Sequence, residues 1–175
     1  MGAQGGCGSL TLTPPMEGSP KERLVRLRVS TEKFRQMNAW KNTRTGWNRR
    51  VGVLASFEAG GEHGQINPHL HLAVFGPDRQ DVLDFIQWLT LSWLLLNPGA
   101  STEAQWSGEV HGPAGSWNGW LTYVLKGTLI RPEWCGETLC GVLDLFPLGS
   151  RQCTSWGCYS LSRKAAKKDS RYARG

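Results

Sequence analysis

The chain has 175 residues, enough for one domain with a sizeable core and too few for two ordinary ones. Its 20 Lys and Arg against 14 Asp and Glu give a net charge of +6, which favours phosphate-bearing partners without choosing among DNA, RNA and an anionic membrane. The start, "MGAQGGCGSLTLTPP", lacks the charged and apolar regions of a secretory signal, and the most apolar run, "WLTLSWLLL" (88–96), is too short to span a bilayer; the expectation is a cytoplasmic protein with no membrane partner.

"SLTLTPP" (9–15) alternates Leu and Thr and stops at a double proline, the pattern of a short strand entering a turn. In "SPKERLVRLRVSTEKFRQMNAW", Ser19, Pro20 and Glu22 form a capping box with an N1 proline. Leu24, Leu27, Phe34 and Met37 then recur near helical spacing, although the β-branched "VST" leaves a strand-plus-helix reading open. "VGVLASFE" (51–58) predicts a strand with Val53, Ala55 and Phe57 on one face and Leu54, Ser56 and Glu58 on the other. The Gly-rich "AGGEHGQINP" leads into "HLHLAVFG" (69–76), so the two strands form a hairpin. On the second strand Leu70, Leu72 and Val74 face the core, and His69, His71 and Ala73 face away. Asp78 caps a helix that carries the apolar run into the interior and stops at "NPG" (97–99).

"AQWSGEVHG" (104–112) is a further predicted strand, and "SWNGWLTYVLKG" (116–127) a helix ended by Gly127. Its apolar stripe is Trp117, Leu121, Val124 and Leu125, with Gly119, Tyr123 and Lys126 off it. One or two closing strands are expected from the remainder before the basic tail. Residues 1–160 thus make one domain, and 161–175, "SRKAAKKDSRYARG" in its wider context, a flexible basic segment in which Arg163 and Lys164 are candidates for contact with a nucleic-acid backbone.

Five cysteines, an odd number, agree with reduced thiols. Cys135 with Cys140 and Cys153 with Cys158 share a C-x4-C spacing that a structural Zn2+ could use, although the same side chains also serve as small apolar residues.

Two imidazoles at i and i+2 on a strand project from one face and can hold one divalent ion between them. Glu58 lies on the same face, where the hairpin brings it beside His69. Glu62 and His63, in the intervening loop, are weaker candidates. Two histidines and a carboxylate leave coordination positions open, which suits catalysis with Mg2+, Mn2+ or Zn2+, although H-x-H also occurs by chance. Tyr123, one helical turn before Lys126, is placed to attack a phosphodiester whose charge a metal withdraws; it can equally be a half-buried helix residue.

In chain order, "SLTLTPP", the Glu-containing hairpin with "PHLHL", and "YVLKG" resemble the three motifs of HUH endonucleases, the single-tyrosine initiators of rolling-circle replication in plasmids and phages. "SWG" (155–157) is similar to a late strand of plasmid initiators. The resemblance implies that Glu58, His69 and His71 hold Mn2+ or Mg2+, that Tyr123 is the nucleophile, and that Lys126 assists at the phosphate. It implies an α+β fold with a central antiparallel sheet of about five strands, helices on one face and the metal cleft on the other. The partners it implies are single-stranded DNA at an origin nick site and a host helicase and polymerase, since the chain contains no G-x-x-x-x-G-K-[ST] motif. Gly119 stands where some plasmid initiators place a Glu one turn before the Tyr, and the helix has no second Tyr, so their mode of termination does not carry over unless Glu109 or another group serves. A small transposase or a conjugative relaxase would share the chemistry. A non-catalytic single-strand-binding module would instead display aromatics on the central strands.

Overall fold

The computed structural model describes residues 5–60, 66–108 and 153–157. In chain order these form strand β1 (Gly6–Leu12), helix α1 (Pro20–Gln36), a short helix α2 (Asn38–Lys41), a 3-10 turn (Trp47–Arg49), strands β2 (Gly52–Gly60) and β3 (Ile66–Gly76), helix α3 (Arg79–Leu96), and strands β4 (Trp106–Ser107) and β5 (Cys153–Gly157). The strands make one sheet in the order β4-β1-β3-β2-β5, with every neighbouring pair antiparallel. The helices pack on one face of it, as the α+β expectation requires.

Alternation divides each central strand between two environments. Leu10 and Leu12 of β1, Val53, Ala55 and Phe57 of β2, and Leu70, Leu72 and Val74 of β3 all enter the core. They meet Leu24, Leu27 and Phe34 of α1 and Val82, Phe85, Leu89 and Trp93 of α3, on the face predicted from the hairpin. Trp156 of β5 closes the core at one edge, its ring 5.3 Å from that of Phe34 in an edge-to-face arrangement.

Helix α1 starts as its sequence dictates: Ser19 Oγ accepts from the Glu22 amide, and Glu22 Oε2 accepts from the Ser19 amide at 2.7 Å. It runs unbroken through "VST". Buried hydroxyls there need acceptors, and both have them: Thr31 Oγ1 donates to the Leu27 carbonyl at 2.8 Å and Ser30 Oγ to Asn97 Oδ1 at 2.8 Å. The second of these bonds ties α1 to the residue that ends α3.

Three boundaries differ from expectation. Strand β1 begins earlier, at Gly6, and stops at Leu12 because side chains capture the backbone of Thr13: its amide donates to Gln105 Oε1 at 2.9 Å, and its carbonyl accepts from Trp93 Nε1 and Gln105 Nε2, both at 3.1 Å. Gln105 is therefore not in a strand, and of the predicted 104–112 only Trp106 and Ser107 pair with β1, while 109–112 lie outside the described residues. Helix α3 is buried along one face only. Leu83, Leu91 and Leu95 are exposed, because the sheet can meet a single stripe of it. No helix among the described residues is long and apolar enough to cross a membrane.

Gly157 has φ +82°, and a Cβ there would collide with the Val51 carbonyl, so only glycine lets β5 lie this close to the start of β2. The predicted helix at 116–127 and the tail from 161 lie outside the described residues.

Leu70, fully buried between the two histidines of β3, ties core and opposite face together. Leu70→Ala is expected to cost about 2–5 kcal/mol, read as a lowered urea midpoint.

Candidate metal centre

The face turned away from the helices carries polar side chains in register. Glu58 of β2 stands directly opposite His69 of β3, and Ser56 opposite His71. On the other flank of β3, Thr11 of β1 is opposite His71. The pairing of β2 with β3 shifts by one residue between Glu58 and Gly60, so a β-bulge follows Glu58 immediately. Such an irregularity re-aims a side chain at the end of a regular ladder.

The three expected ligands converge. His69 Nε2 and His71 Nε2 are 2.9 Å apart, and Glu58 Oε2 lies 3.1 Å from His71 Nε2 and 3.8 Å from His69 Nε2. These are the separations of neighbouring positions in one coordination shell. The rings stand nearly perpendicular, at 87°, so both nitrogens point to one spot without the rings clashing. Glu58, His69 and His71 could hold a metal ion, and they are the only such cluster of His, Cys, Asp and Glu among the described residues.

The outer nitrogens are held as firmly as the inner ones. His69 Nδ1 lies 2.7 Å from the Asn67 carbonyl oxygen, which can only accept, so the proton of a neutral His69 is on Nδ1 and its Nε2 carries a lone pair. His71 Nδ1 lies 2.9 Å from Thr11 Oγ1, which can donate or accept. Asn67 is held in turn from the helical layer: Arg23 of α1, itself buried, donates to Asn67 Oδ1 at 3.3 Å and to the Ile66 carbonyl at 2.9 Å.

The site is deeper than an open cleft. The Glu58 side chain is 1% exposed, and only His69, at 13%, retains appreciable access to solvent. Burial lowers the pKa of His69 from 6.5 to about 4, with the adjacent His71 adding to the shift and the Asn67 carbonyl opposing it. Burial likewise lowers His71 to about 4. Both imidazoles are therefore neutral at physiological pH, with lone pairs available to a cation rather than protons to repel it.

Ser56 Oγ, buried opposite His71, has no hydrogen-bond partner among the described residues. A neutral His pair, a carboxylate and a spare hydroxyl form a donor set that fits a divalent cation and its water. Cys7, on the same face, is a poor candidate ligand, because burial pushes its thiol up to about 11.

Of the remaining candidates, Cys153 lies on β5 opposite Ser56, as a free cysteine. Tyr123, Lys126, Cys135, Cys140, Cys158, Arg163, Lys164, Glu62 and His63 lie outside the described residues. Sequence reasoning gave no role to Thr11, Asn67 or Arg23. The Thr of "SLTLTPP" alternates to the His face, which is the signal that could have marked Thr11; the Arg23 clamp has no local signature.

No protein-family model, curated protein or solved structure matches the chain.

Mn2+ is expected to raise the melting temperature of the protein, and Glu58→Gln or His71→Ala to abolish that rise; equal shifts in wild type and both variants would refute the centre. A second expectation concerns the cation-free protein. Both folded-state pKa values lie below the ordinary 6.5, so on acidification the unfolded chain takes up protons first. Stability is therefore complete above about 6.5 and falls as pH drops towards about 4. Thermal melts across this range should show the decline, and they should show less of it in His71→Gln.

Proposed function

We propose that the protein is a metal-dependent, site-specific single-stranded DNA endonuclease and strand transferase that initiates rolling-circle replication, similar to single-tyrosine HUH initiators. The observation that carries the reading is the convergence of Glu58, His69 and His71 on one point of the sheet face opposite the helices. H-x-H alone is a common accident. Two neutral imidazoles and a carboxylate gathered within 4.8 Å, in a chain whose motifs follow in HUH order, are a much narrower match.

In this reading Glu58, His69 and His71 hold Mn2+ or Mg2+. The ion, when bound, withdraws negative charge from a phosphate oxygen. The Tyr123 phenol oxygen attacks phosphorus; a Tyr–O–P bond forms and the P–O3′ bond breaks. The phenol proton ends on the leaving oxygen, giving a free 3′-OH, and the 5′ end stays on the tyrosine. Lys126, three residues on, favours the phenolate and the phosphate. The net charge of +6 suits a polyanionic substrate, with Arg163 and Lys164 available to the backbone. A host polymerase extends the 3′-OH and a host helicase opens the duplex, in the cytoplasm.

A small transposase or a relaxase would use the same chemistry. A purely binding module is the less favoured reading: away from the core β3 carries a partly exposed Phe75 near its end, but the paired positions around the cluster carry Ser56, Glu58, His69 and His71, where a stacking surface would carry aromatics.

The test uses labelled single-stranded oligonucleotides tiling the origin region, with Mn2+ and a denaturing gel. A covalent protein–DNA adduct is expected from wild type. It should be lost with EDTA and in Tyr123→Phe, and reduced at least about 100-fold in His71→Ala, since metal and nucleophile act in one step. An adduct persisting in Tyr123→Phe would remove that residue from the role, and the absence of any adduct would overturn the endonuclease reading.

A further inference from the structure

We propose that Thr11 is a positioning residue for His71, and that its hydroxyl reverses the direction of its hydrogen bond when a cation enters the site. The proposal rests on the reading of Glu58, His69 and His71 as metal ligands.

The argument starts at His69. The Asn67 carbonyl, 2.7 Å from His69 Nδ1, fixes that ring in one tautomer and leaves its Nε2 with a bare lone pair. That lone pair faces His71 Nε2 at 2.9 Å. Two bare nitrogen lone pairs at hydrogen-bond distance repel, whereas a proton on His71 Nε2 makes the same contact an N–H···N bond, with Glu58 Oε2 a second acceptor at 3.1 Å. A neutral His71 protonated on Nε2 has a bare Nδ1. The Thr11 hydroxyl, 2.9 Å away, can satisfy it by acting as donor.

A cation bound by both Nε2 atoms demands the opposite arrangement. One proton leaves His71 Nε2 and one is taken up at Nδ1, so the ring stays neutral and the proton count is unchanged. His71 Nδ1–H now donates, and Thr11 Oγ1 must accept. A backbone carbonyl, as at His69, could serve only this second state, and a backbone amide only the first. A hydroxyl serves both by rotating. The two histidines are therefore unequal: His69 is fixed in the metal-ready tautomer, and His71 switches into it. The switch sits on β1, so a third strand enters the centre through the Thr11–His71 register.

The ring nitrogens can be read by 15N NMR. In the cation-free protein, His69 should carry its proton on Nδ1 and His71 on Nε2. Adding diamagnetic Zn2+ should move the His71 proton to Nδ1 while His69 stays unchanged. Calorimetric titration with Mn2+ is the second readout. Thr11→Ser, which keeps the hydroxyl, should bind within about threefold of wild type; Thr11→Val, nearly isosteric and a good strand former, should bind about tenfold or more weakly, as is usual when an outer-shell partner is lost.

A His71 already protonated on Nδ1 without a cation overturns the switch. A folded Thr11→Val that binds Mn2+ as tightly as wild type overturns the positioning role while leaving the metal centre intact. A wild type that binds neither ion overturns the centre itself. Should Thr11→Val fail to fold, the tautomers of the wild-type protein still decide.

Discussion

The pairing of β2 with β3 is the constraint on which both layers depend. Side chains alternate along a strand, so one register simultaneously sends Leu70, Leu72, Val53, Ala55 and Phe57 to the helices and His69, His71, Ser56 and Glu58 to the other face. A slip of one residue would exchange the two sets, placing imidazoles in a dry core and leucines on the polar face. The apolar residues thus specify the site although none touches it. The free energy that keeps His69 opposite Glu58 comes largely from leucines and valines buried on the far side.

That arrangement also sets the electrostatics. A shallow site would leave imidazoles with ordinary pKa values, part-protonated at neutral pH and repelling a cation. Burial removes this competition, since it is the first cause of the fall to about 4 in both rings. Burial has an opposite cost: three polar side chains pressed together away from water need partners. The hydrogen bonds at the two Nδ1 atoms supply part of that need and fix ring orientation at the same time.

Much of this was legible in the chain, for identifiable reasons. The capping box at Ser19, the Asp78 cap and the "NPG" stop are local signals, and each marks a helix end where expected. The facing of "VGVLASFE" and "HLHLAVFG" follows from period-two alternation, and it brought Glu58 to His69 correctly. Long-range pairing was not legible. That β1 lies beside β3, rather than at an edge, has no local signature, and Thr11 reaches His71 only through it. The end of β1 has a long-range part too: the double proline marks the stop, and Gln105 and Trp93, some ninety and eighty residues away in sequence, take the Thr13 backbone just before it.

Arg23 links the two layers by another route. Its guanidinium, buried in the helical layer, grips Ile66 and Asn67 at the entry to β3, and the Asn67 carbonyl orients His69. Burial lowers the pKa of this arginine yet leaves it charged, so its grip does not switch off with pH. The His69 end of the centre is accordingly anchored by a permanent ionic donor through two rigid links, while the Nδ1 of His71 meets a rotatable hydroxyl. Stiffness in this site is graded: under the proposed switch, the ring backed by Asn67 would be the fixed jaw of a vice and the ring backed by Thr11 the moving one, so that adjustment to the size of an ion would fall on the side of β1.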